Sequence, residues 1–289
     1  MNHSASLHPP DRIVIQSQGR LLDLTDGVIM GILNVTPDSF YDGGKFTEES
    51  IIIERVATMV ADGASIIDIG GMSSRPGSRP VPEEEERKRV IPVIKTIRKH
   101  FPDIFISIDT WRSQIANESL DEGADIINDI SAGNIDPEII KLAGRRKAPY
   151  ILMHMQGDPS TMQQAPTYKD ILYETGSFFA RKTAELTAAG CTDIILDPGF
   201  GFGKTAAHNY QLLKNTGFFK TFGRPLLHGF SRKSMVNKIL GTKPDEALNG
   251  TTVLNTIALL SGVQILRVHD VKEAMEALKI TRFYNSIQA

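Results

Sequence analysis

The stretch VIMGILNV, from Val28 to Val35, is an apolar run of strand-forming residues that ends at a polar residue, Asn34. Seven further runs of this kind follow, and each leads into a loop and an amphipathic segment. They are Ala64–Ile69 (Asp68 and Gly70-Gly71 at its end), Ile104–Asp109, Asp125–Asp129, Tyr150–His154, Asp193–Asp197, Leu226–Ser231 and Ile265–Asp270. Eight strand-then-helix units predict an α/β fold, the (β/α)8 TIM barrel, in which function lies on the loops that follow the strands.

The ends of these runs carry hydrogen-bonding side chains that a barrel built for stability alone would not need. They are Asn34, Asp109, Asn128, His154, Asp197, Ser231, Arg267 and His269. Because the carboxyl ends of all barrel strands meet at one rim, we expect these side chains to converge there.

The chain has 289 residues, and one barrel of roughly 250 residues uses nearly all of them. We expect a flexible tail over residues 1–11 and a single domain over residues 12–289. Within Arg12–Leu24, two short apolar runs flank Gln18-Gly19. This pattern predicts a β-hairpin, which we expect to close the bottom of the barrel, the end at which the strands begin.

Composition limits the partners. The formal net charge of −2 does not favour nucleic acid or an anionic membrane, and no apolar stretch approaches the ~20 residues of a membrane span. The single Cys191 cannot form a disulfide within the chain and is predicted to be a buried structural thiol. Its isolation fits a reducing compartment, so we expect a cytoplasmic location.

The segments between the strands read as amphipathic helices. The clearest are Glu49–Asp62, Pro82–His100, Tyr168–Ala189 (the longest), Lys233–Leu240, Asp245–Ser261 and Val271–Tyr284. The acidic run Glu83–Glu86 stands in a first turn, where the helix dipole favours acids, and we interpret it as a solvated face.

Two late loops suggest ligand binding. Loop six, DPGFGFGKT from Asp197 to Thr205, resembles a phosphate-binding P-loop, but Pro198 stands where that pattern needs a glycine. Its glycines are better explained as making room for a flat ligand near Asp197 and Phe202. Loop seven, Gly229–Ser234, opens a helix at the usual anion site of barrels. Ser231 could equally be a simple N-cap.

The last strand and three earlier ones add charge to the rim. Strand alternation puts Arg267 and His269 on the same face, so a cationic cluster is expected. Two carboxylates and an amide, on Asp109, Asn128 and Asp197, suit a heterocycle with alternating N–H donors and acceptors. The sequence has no Ser-His-Asp, CxxC or HExxH pattern, and its histidines lack the spacing of zinc ligands.

Taken together, these loops resemble the dihydropteroate synthase family. The resemblance rests on five motifs in order: Asn34–Phe40 (NVTPDSF), Asp68–Gly71 (DIGG), Ser74–Gly77 (SRPG), Asp197–Lys204 (DPGFGFGK) and Ser231–Ser234 (SRKS). It covers the chain from about Ile29 to the Arg267-Val268-His269 end. It implies condensation of 6-hydroxymethyl-dihydropterin diphosphate with para-aminobenzoate, release of pyrophosphate, a requirement for Mg²⁺ and inhibition by sulfonamides.

The resemblance also implies roles for individual residues. The pterin pocket is expected from Asp109, Asn128, Met153, Asp197, Phe202, Gly229 and Lys233. The diphosphate site is expected from Asn34, Arg75, Arg267 and His269, with Asn34 on Mg²⁺, and the para-aminobenzoate site from Phe40, Ser74, Pro76, Phe202 and Ser234. Asp109, Lys233, Arg267 and His269 are the implied catalytic residues. Ser74 departs from the threonine that many members carry, which keeps the hydroxyl and loses a methyl group.

The family resemblance also implies a homodimer formed through the late helices. Loops one and two, Thr36–Gly44 and Ser73–Ser78, are expected to close over bound diphosphate, so that para-aminobenzoate binds second. Two alternatives share the pterin pocket: a corrinoid-dependent pterin methyltransferase domain and a non-catalytic pterin-binding module. The methyltransferase would not need a diphosphate site, so Arg75, Arg267, His269 and the loop that begins at Asn34 argue against it. Loss of loop one or of Lys233 would favour the binding module, and neither is lost.

Overall fold

The computed structural model describes residues 12–35, 45–72, 81–157, 162 and 166–287. Its strands are β1 (Val14–Ser17), β2 (Arg20–Asp23), β3 (Val28–Asn34), β4 (Ala64–Gly70), β5 (Phe105–Asp109), β6 (Ile126–Asp129), β7 (Tyr150–Met153), β8 (Ile194–Asp197), β9 (Leu227–His228) and β10 (Ile265–Val268). β3 to β10 are parallel, in the order β8-β7-β6-β5-β4-β3-β10-β9. A parallel bridge from Leu196 to Leu226 joins the two ends, so the predicted TIM barrel is confirmed.

Helices lie between the strands as the amphipathic segments predict. They are α1 (Lys45–Ala61), α2 (Glu83–His100), α3 (Ser113–Asp121), α4 (Glu138–Arg146), α5 (Ile171–Ala188), α6 (Ala206–Lys214), α7 (Thr216–Lys220), α8 (Ser234–Leu240), α9 (Leu248–Leu260) and α10 (Val271–Ser286). α5 begins later than expected because Asp170 caps it, accepting from the backbone N–H groups of Leu172 and Tyr173. α2 and α5 have the same length, 18 residues.

Strand alternation divides the barrel interior into an apolar lower part and a polar upper part. In the lower part, interior side chains such as Met30, Ile66 and Phe105 form one buried apolar cluster. Two residues further along β4 the same face carries Asp68, and β5 continues with Ser107 and then Asp109. Within the barrel interior, the charged side chains of β4 and β5 therefore lie towards the C-terminal rim.

The predicted hairpin is confirmed, and it closes the bottom of the barrel. Ile15 and Leu24 belong to the lower interior cluster. Ser17 Oγ donates to the Asp125 carbonyl at 3.1 Å and Gln18 Nε2 to the Ala124 carbonyl at 2.8 Å, both just before β6. These bonds tie the hairpin to the starts of the strands.

The acidic run at the start of α2 is not uniformly solvated. Glu83, Glu84 and Glu85 pair at the surface with arginines on the same helix, but Glu86 is fully buried and ion-paired with Arg112. Glu86 lies four residues before the buried Val90, and residues at that spacing share a helix face. The interpretation of a solvated face was therefore wrong for Glu86.

Three smaller expectations have mixed outcomes. Cys191 is buried, as expected, and burial raises the pKa of its thiol to about 12. The seventh barrel strand is much shorter than Leu226–Ser231, since β9 spans only two residues. Ser231 is not an N-cap, because α8 begins three residues later without a side-chain cap.

No helix in the described part of the chain is both long and apolar enough to cross a membrane. The division into a tail over residues 1–11 and one domain over residues 12–289 stays a prediction.

Candidate functional site at the C-terminal rim

Arg267 is the centre of the polar upper layer. Its Nε donates to Asp68 Oδ2 at 2.6 Å, and its Nη2 donates to Asp109 Oδ2 at 2.8 Å. Arg267 lies on β10, and β3 separates β10 from β4 and β5. Its guanidinium therefore reaches across β3 to the ends of both strands. Asn128 Nδ2 completes the group, at 3.2 Å from both oxygens of Asp68.

Asp68 is the most important residue that sequence reasoning did not assign. Its side chain is fully buried, and it holds Arg267 and Asn128 in place rather than facing a ligand alone. A signal was present, since an aspartate inside the apolar run of β4 must find a partner to be tolerated. The run itself does not reveal that the partner lies 199 residues away.

Asp109 and Asp197 are the two acids predicted to bind the pterin, and neighbouring groups offset the cost of burying their charges only in part. Burial raises the pKa of Asp109 to about 7, although Arg267 lowers it. Burial also raises the pKa of Asp197, against the opposing effect of Lys233. In the hydrogen bonds of the described residues, Asp197 accepts from the backbone N–H of Gly199 at 2.8 Å. Both carboxylates retain acceptor capacity for the N–H groups of a ligand.

Lys233 is fixed beside these acids. Its Nζ donates to the Phe200 carbonyl at 2.6 Å and lies 4.8 Å from the centre of the Phe202 ring, a cation–π distance. Burial lowers its pKa to about 8. Gly229 lies beside both cations: a Cβ on it would lie 3.5 Å from the Arg267 carbonyl oxygen and 3.8 Å from Lys233 Nζ.

An apolar wall borders the acids. Met153 and Phe202, both predicted for the pterin pocket, belong to one buried rim cluster. The other buried members of that cluster are Met72, Trp111, Ile130 and Met162. A flat ring held by the carboxylates would therefore have apolar side chains beside it, which suits a heterocycle.

His269 lies two residues beyond Arg267 and is not a cation in the free protein. Its Nδ1 is 2.9 Å from Ser231 Oγ. Burial lowers the pKa of the ring to about 4, and the charges of Arg232, Arg267 and Arg55 add to the effect. The expected cationic cluster therefore consists of arginines around a neutral imidazole, and Arg55 on α1 is a member that sequence reasoning missed.

The remaining predicted residues fall into three groups. Asn34, at the end of β3, and Ser234, at the first turn of α8, lie at the rim. Phe40, Ser74, Arg75 and Pro76 lie outside the described residues, as do all of loops one and two. His154 is a strand-end residue that does not face the pocket: its ring packs against Phe178 of α5 at 4.9 Å, and burial lowers its pKa to about 2.

Comparisons with known proteins agree on one family. A protein-family model described as "Pterin binding enzyme" matches residues 30–269. The dihydropteroate synthase of Escherichia coli strain K12 is 46% identical over 268 residues, covering 91% of this chain and 94% of that protein.

Two solved structures extend the agreement to the fold. The Yersinia pestis dihydropteroate synthase, in a sulfonamide drug complex, superposes with a TM-score of 0.89 at 42% identity, covering 95% of this chain and 100% of that one. The Xanthomonas albilineans dihydropteroate synthase with 4-aminobenzoic acid has a TM-score of 0.89 at 34% identity, covering 96% and 100%.

Proposed function

The chain belongs to the dihydropteroate synthase family and is thus a transferase of folate biosynthesis; from this premise we propose how its rim residues divide the work of the reaction. The family expected from the sequence motifs is confirmed. The enzyme condenses 6-hydroxymethyl-7,8-dihydropterin diphosphate with para-aminobenzoate and releases pyrophosphate. The observation that carries the division of labour is that Arg267 binds Asp68 and Asp109, while its charge acts on both Asp197 and His269.

The pterin lies on the Asp109 and Asp197 side of Arg267. The aminopyrimidine edge offers N–H donors to the two carboxylates and to the amide oxygen of Asn128, whose Nδ2 is bonded to Asp68. Lys233 spends one N–H on the Phe200 carbonyl and retains two for ligand acceptors. Met153, Phe202 and Gly229 provide the apolar surface and the space for the ring.

The diphosphate lies on the His269 side. Arg267 contributes a guanidinium there, and His269 stands ready to donate a hydrogen bond. Because an anion would offset the nearby arginines that lower the pKa of His269, diphosphate binding raises the proton affinity of the ring. Arg75 is assigned to this site by family resemblance.

Magnesium is compatible with Asn34. A Cβ built on Gly70 would lie 3.8 Å from Asn34 Oδ1, so this amide oxygen borders the space above a residue that has no side chain. The described residues contain no cluster of three or more His, Cys, Asp or Glu side chains for a metal. This agrees with Mg²⁺, which commonly takes one or two protein ligands and substrate phosphates. When bound, Mg²⁺ supplies charge neutralisation for the leaving diphosphate.

The chemistry needs positioning and electrostatics more than a nucleophilic residue. The C–O bond to diphosphate breaks as the amine nitrogen of para-aminobenzoate bonds to the pterin methylene, and that nitrogen then loses a proton. The pterin ring shares the positive charge that develops on the methylene. Arg267 and His269 stabilise the departing diphosphate, while Asp109 and Lys233 hold the ring in line. Phe202 and Ser234 border the para-aminobenzoate site, together with Phe40, Ser74 and Pro76 by resemblance.

The test of this function is pyrophosphate release by the purified protein. Pterin diphosphate with para-aminobenzoate should release pyrophosphate, and replacing para-aminobenzoate by benzoate, which lacks the amine, should abolish the release. Equal release with benzoate would indicate hydrolysis and contradict the proposal. The methyltransferase and binding-module alternatives are not favoured, since the relatives are dihydropteroate synthases.

A homodimer through the late helices is part of the proposal. α9 and α10 pack side by side and leave large apolar side chains in solvent, among them Val253, Ile280 and Phe283, of which Phe283 is 71% exposed. Apolar surface of this extent is typical of an interface. Sedimentation analysis should give a dimer, and Phe283→Asp should yield a monomer. A cytoplasmic location stays a prediction.

A further inference from the structure

Lys204, in loop six, is a buried lysine that the proposed reaction does not use. Its side chain is only 3% exposed, and lysine is almost never buried unless its charge is paired. Within the described residues its hydrogen bonds go to backbone carbonyls rather than to a carboxylate: His154 at 3.0 Å, Gly199 at 3.0 Å and Phe202 at 2.9 Å. These three bonds use the three N–H groups of the ammonium.

The three carbonyls belong to two different parts of the rim. His154 follows β7, while Gly199 and Phe202 lie within loop six. The loop rests directly on the end of β7, since a Cβ on Gly199 would lie 2.0 Å from the His154 carbonyl oxygen. Gly199 also has a φ of +69°, in the left-handed region. The ammonium is therefore the point at which loop six is fastened to the neighbouring strand.

The fastened segment carries two residues of the proposed pterin pocket. Asp197 accepts from the Gly199 N–H at 2.8 Å, and the Phe202 N–H donates to the Gly199 carbonyl at 3.1 Å. Lys204 Nζ donates to the carbonyls of both Gly199 and Phe202. The Asp197 carboxylate and the Phe202 ring are therefore both positioned by this one ammonium. Burial lowers the pKa of Lys204 to about 7, and the charge of Asp197 opposes that shift. The protonated ammonium in turn lowers the pKa of the Asp197 carboxyl and so favours its ionised form.

We infer that Lys204 is a positioning residue for the pterin: its ammonium fixes the backbone of loop six on β7 and, through its charge, supports the ionised carboxylate of Asp197. The inference rests on the pterin site proposed above. It makes two separate claims, one about hydrogen bonds and one about charge, which different substitutions can separate.

Lys204→Met removes both the donors and the charge. It should bind 6-hydroxymethylpterin, the non-phosphorylated ligand, at least tenfold more weakly at pH 7, as measured by calorimetry. Lys204→Gln keeps two N–H donors without the charge and should lose less affinity. Lys182→Met is the matched control, because Lys182 is also buried but pairs with Glu185 on α5; it should bind the pterin as the wild type does.

The pH profile separates positioning from a general loss of structure. Lys233, Arg267 and Lys204 are the cations that face Asp197, and each lowers the pKa of its carboxyl; Asp109 acts on the same network through Arg267 and Lys233. Loss of one cation raises the pKa of Asp197. The midpoint at which pterin affinity declines on acidification should therefore move to higher pH in both Lys204 variants and stay in place in Lys182→Met.

The outcomes are distinguishable. Wild-type affinity and an unmoved midpoint in Lys204→Met would overturn the inference, as would an equal loss in Lys182→Met. If Lys204→Met does not fold, Lys204→Gln decides the question through its midpoint alone. Failure of the wild type to bind the pterin would instead overturn the proposed function.

Discussion

Each end of the barrel contains a buried aspartate, and the two differ in how far the protein itself fills the hydrogen-bonding capacity of the carboxylate. At the bottom, Asp125 forms ion pairs with Arg20 and Arg98, the latter at 2.7 Å, and accepts the Ile106 N–H at 2.9 Å. At the rim, Asp197 accepts from the Gly199 N–H, and the pKa of its carboxyl is raised by burial. The bottom acid is satisfied by its own chain, whereas the rim acid keeps capacity for a ligand. The comparison separates a site built for stability from one built for binding.

The largest expected effect is at the bottom. Asp125→Ala leaves two arginines and a backbone N–H without their acceptor, and breaking such a buried pair costs about 3–5 kcal/mol of the free energy of unfolding. Urea unfolding measures this loss. The folded variant should bind 6-hydroxymethylpterin with unchanged affinity. A stable variant with weakened pterin binding would show that the two ends are not separate.

The matching change at the rim should act on binding instead. Asp197→Ala removes a charged acceptor, a loss of about 1.5–3 kcal/mol, which corresponds to roughly 10- to 150-fold weaker pterin binding. The free energy of unfolding should stay the same or rise, because an incompletely compensated buried carboxylate is lost. Calorimetry and urea unfolding of one preparation test both halves. Unchanged pterin affinity would remove Asp197 from the pocket.

The third prediction concerns how the contribution of Asp109 to stability depends on pH. The pKa of Asp109 is raised to about 7, above the ~3.9 of an unfolded chain. The folded state therefore binds more protons between pH 4 and 7, and this carboxyl makes the protein less stable as pH rises through that window. Asp109→Asn should be more stable than the wild type at pH 8 by on the order of 1–2 kcal/mol. This gain in stability should vanish near pH 4. The same substitution should also cause loss of activity. A gain independent of pH would contradict the assignment.

The smallest expected effect concerns the diphosphate side. His269→Ala should weaken pyrophosphate binding by about 0.5–1.5 kcal/mol, or roughly 2- to 12-fold, and leave 6-hydroxymethylpterin binding intact. His269 is a cleaner probe than Arg267, because Arg267 also contacts Asp109 and its removal would disturb the pterin side. Equal losses for the two ligands would refute the division of the rim.

The fold and much of the rim follow from sequence because their signals are local. Apolar runs that end in polar residues located all eight barrel strands, and strand alternation put Arg267 on the same face as His269, the interior face that Arg267 occupies. Helix starts were less accurate, since capping by Asp170 decides the start of α5 and the apolar pattern does not. Glu86 shows a similar limit: its spacing to Val90 indicates a buried face, but the cation that pairs with it, Arg112, lies 26 residues away.

The contacts that give the rim its chemistry could not be predicted, because they join distant parts of the chain. The bond between Ser231 and His269 spans 38 residues, and that between Lys204 and His154 spans 50. The neutral state of His269 depends first on its burial and then on three arginines from separate elements. Sequence spacing can identify the residues of the site, but their protonation states can be predicted only from the folded geometry.

The central claim is that the rim carboxylates of Asp109 and Asp197 keep hydrogen-bond acceptor capacity that the protein does not fill and that the pterin does. Its most direct test is the number of protons exchanged when 6-hydroxymethylpterin binds near pH 7, measured by calorimetry in buffers with different ionisation enthalpies. The N–H groups of the ligand favour the ionised carboxylates, so binding should release protons, and Asp109→Asn should release fewer. A binding heat that is independent of the buffer, with no proton released by the wild type, would contradict the claim.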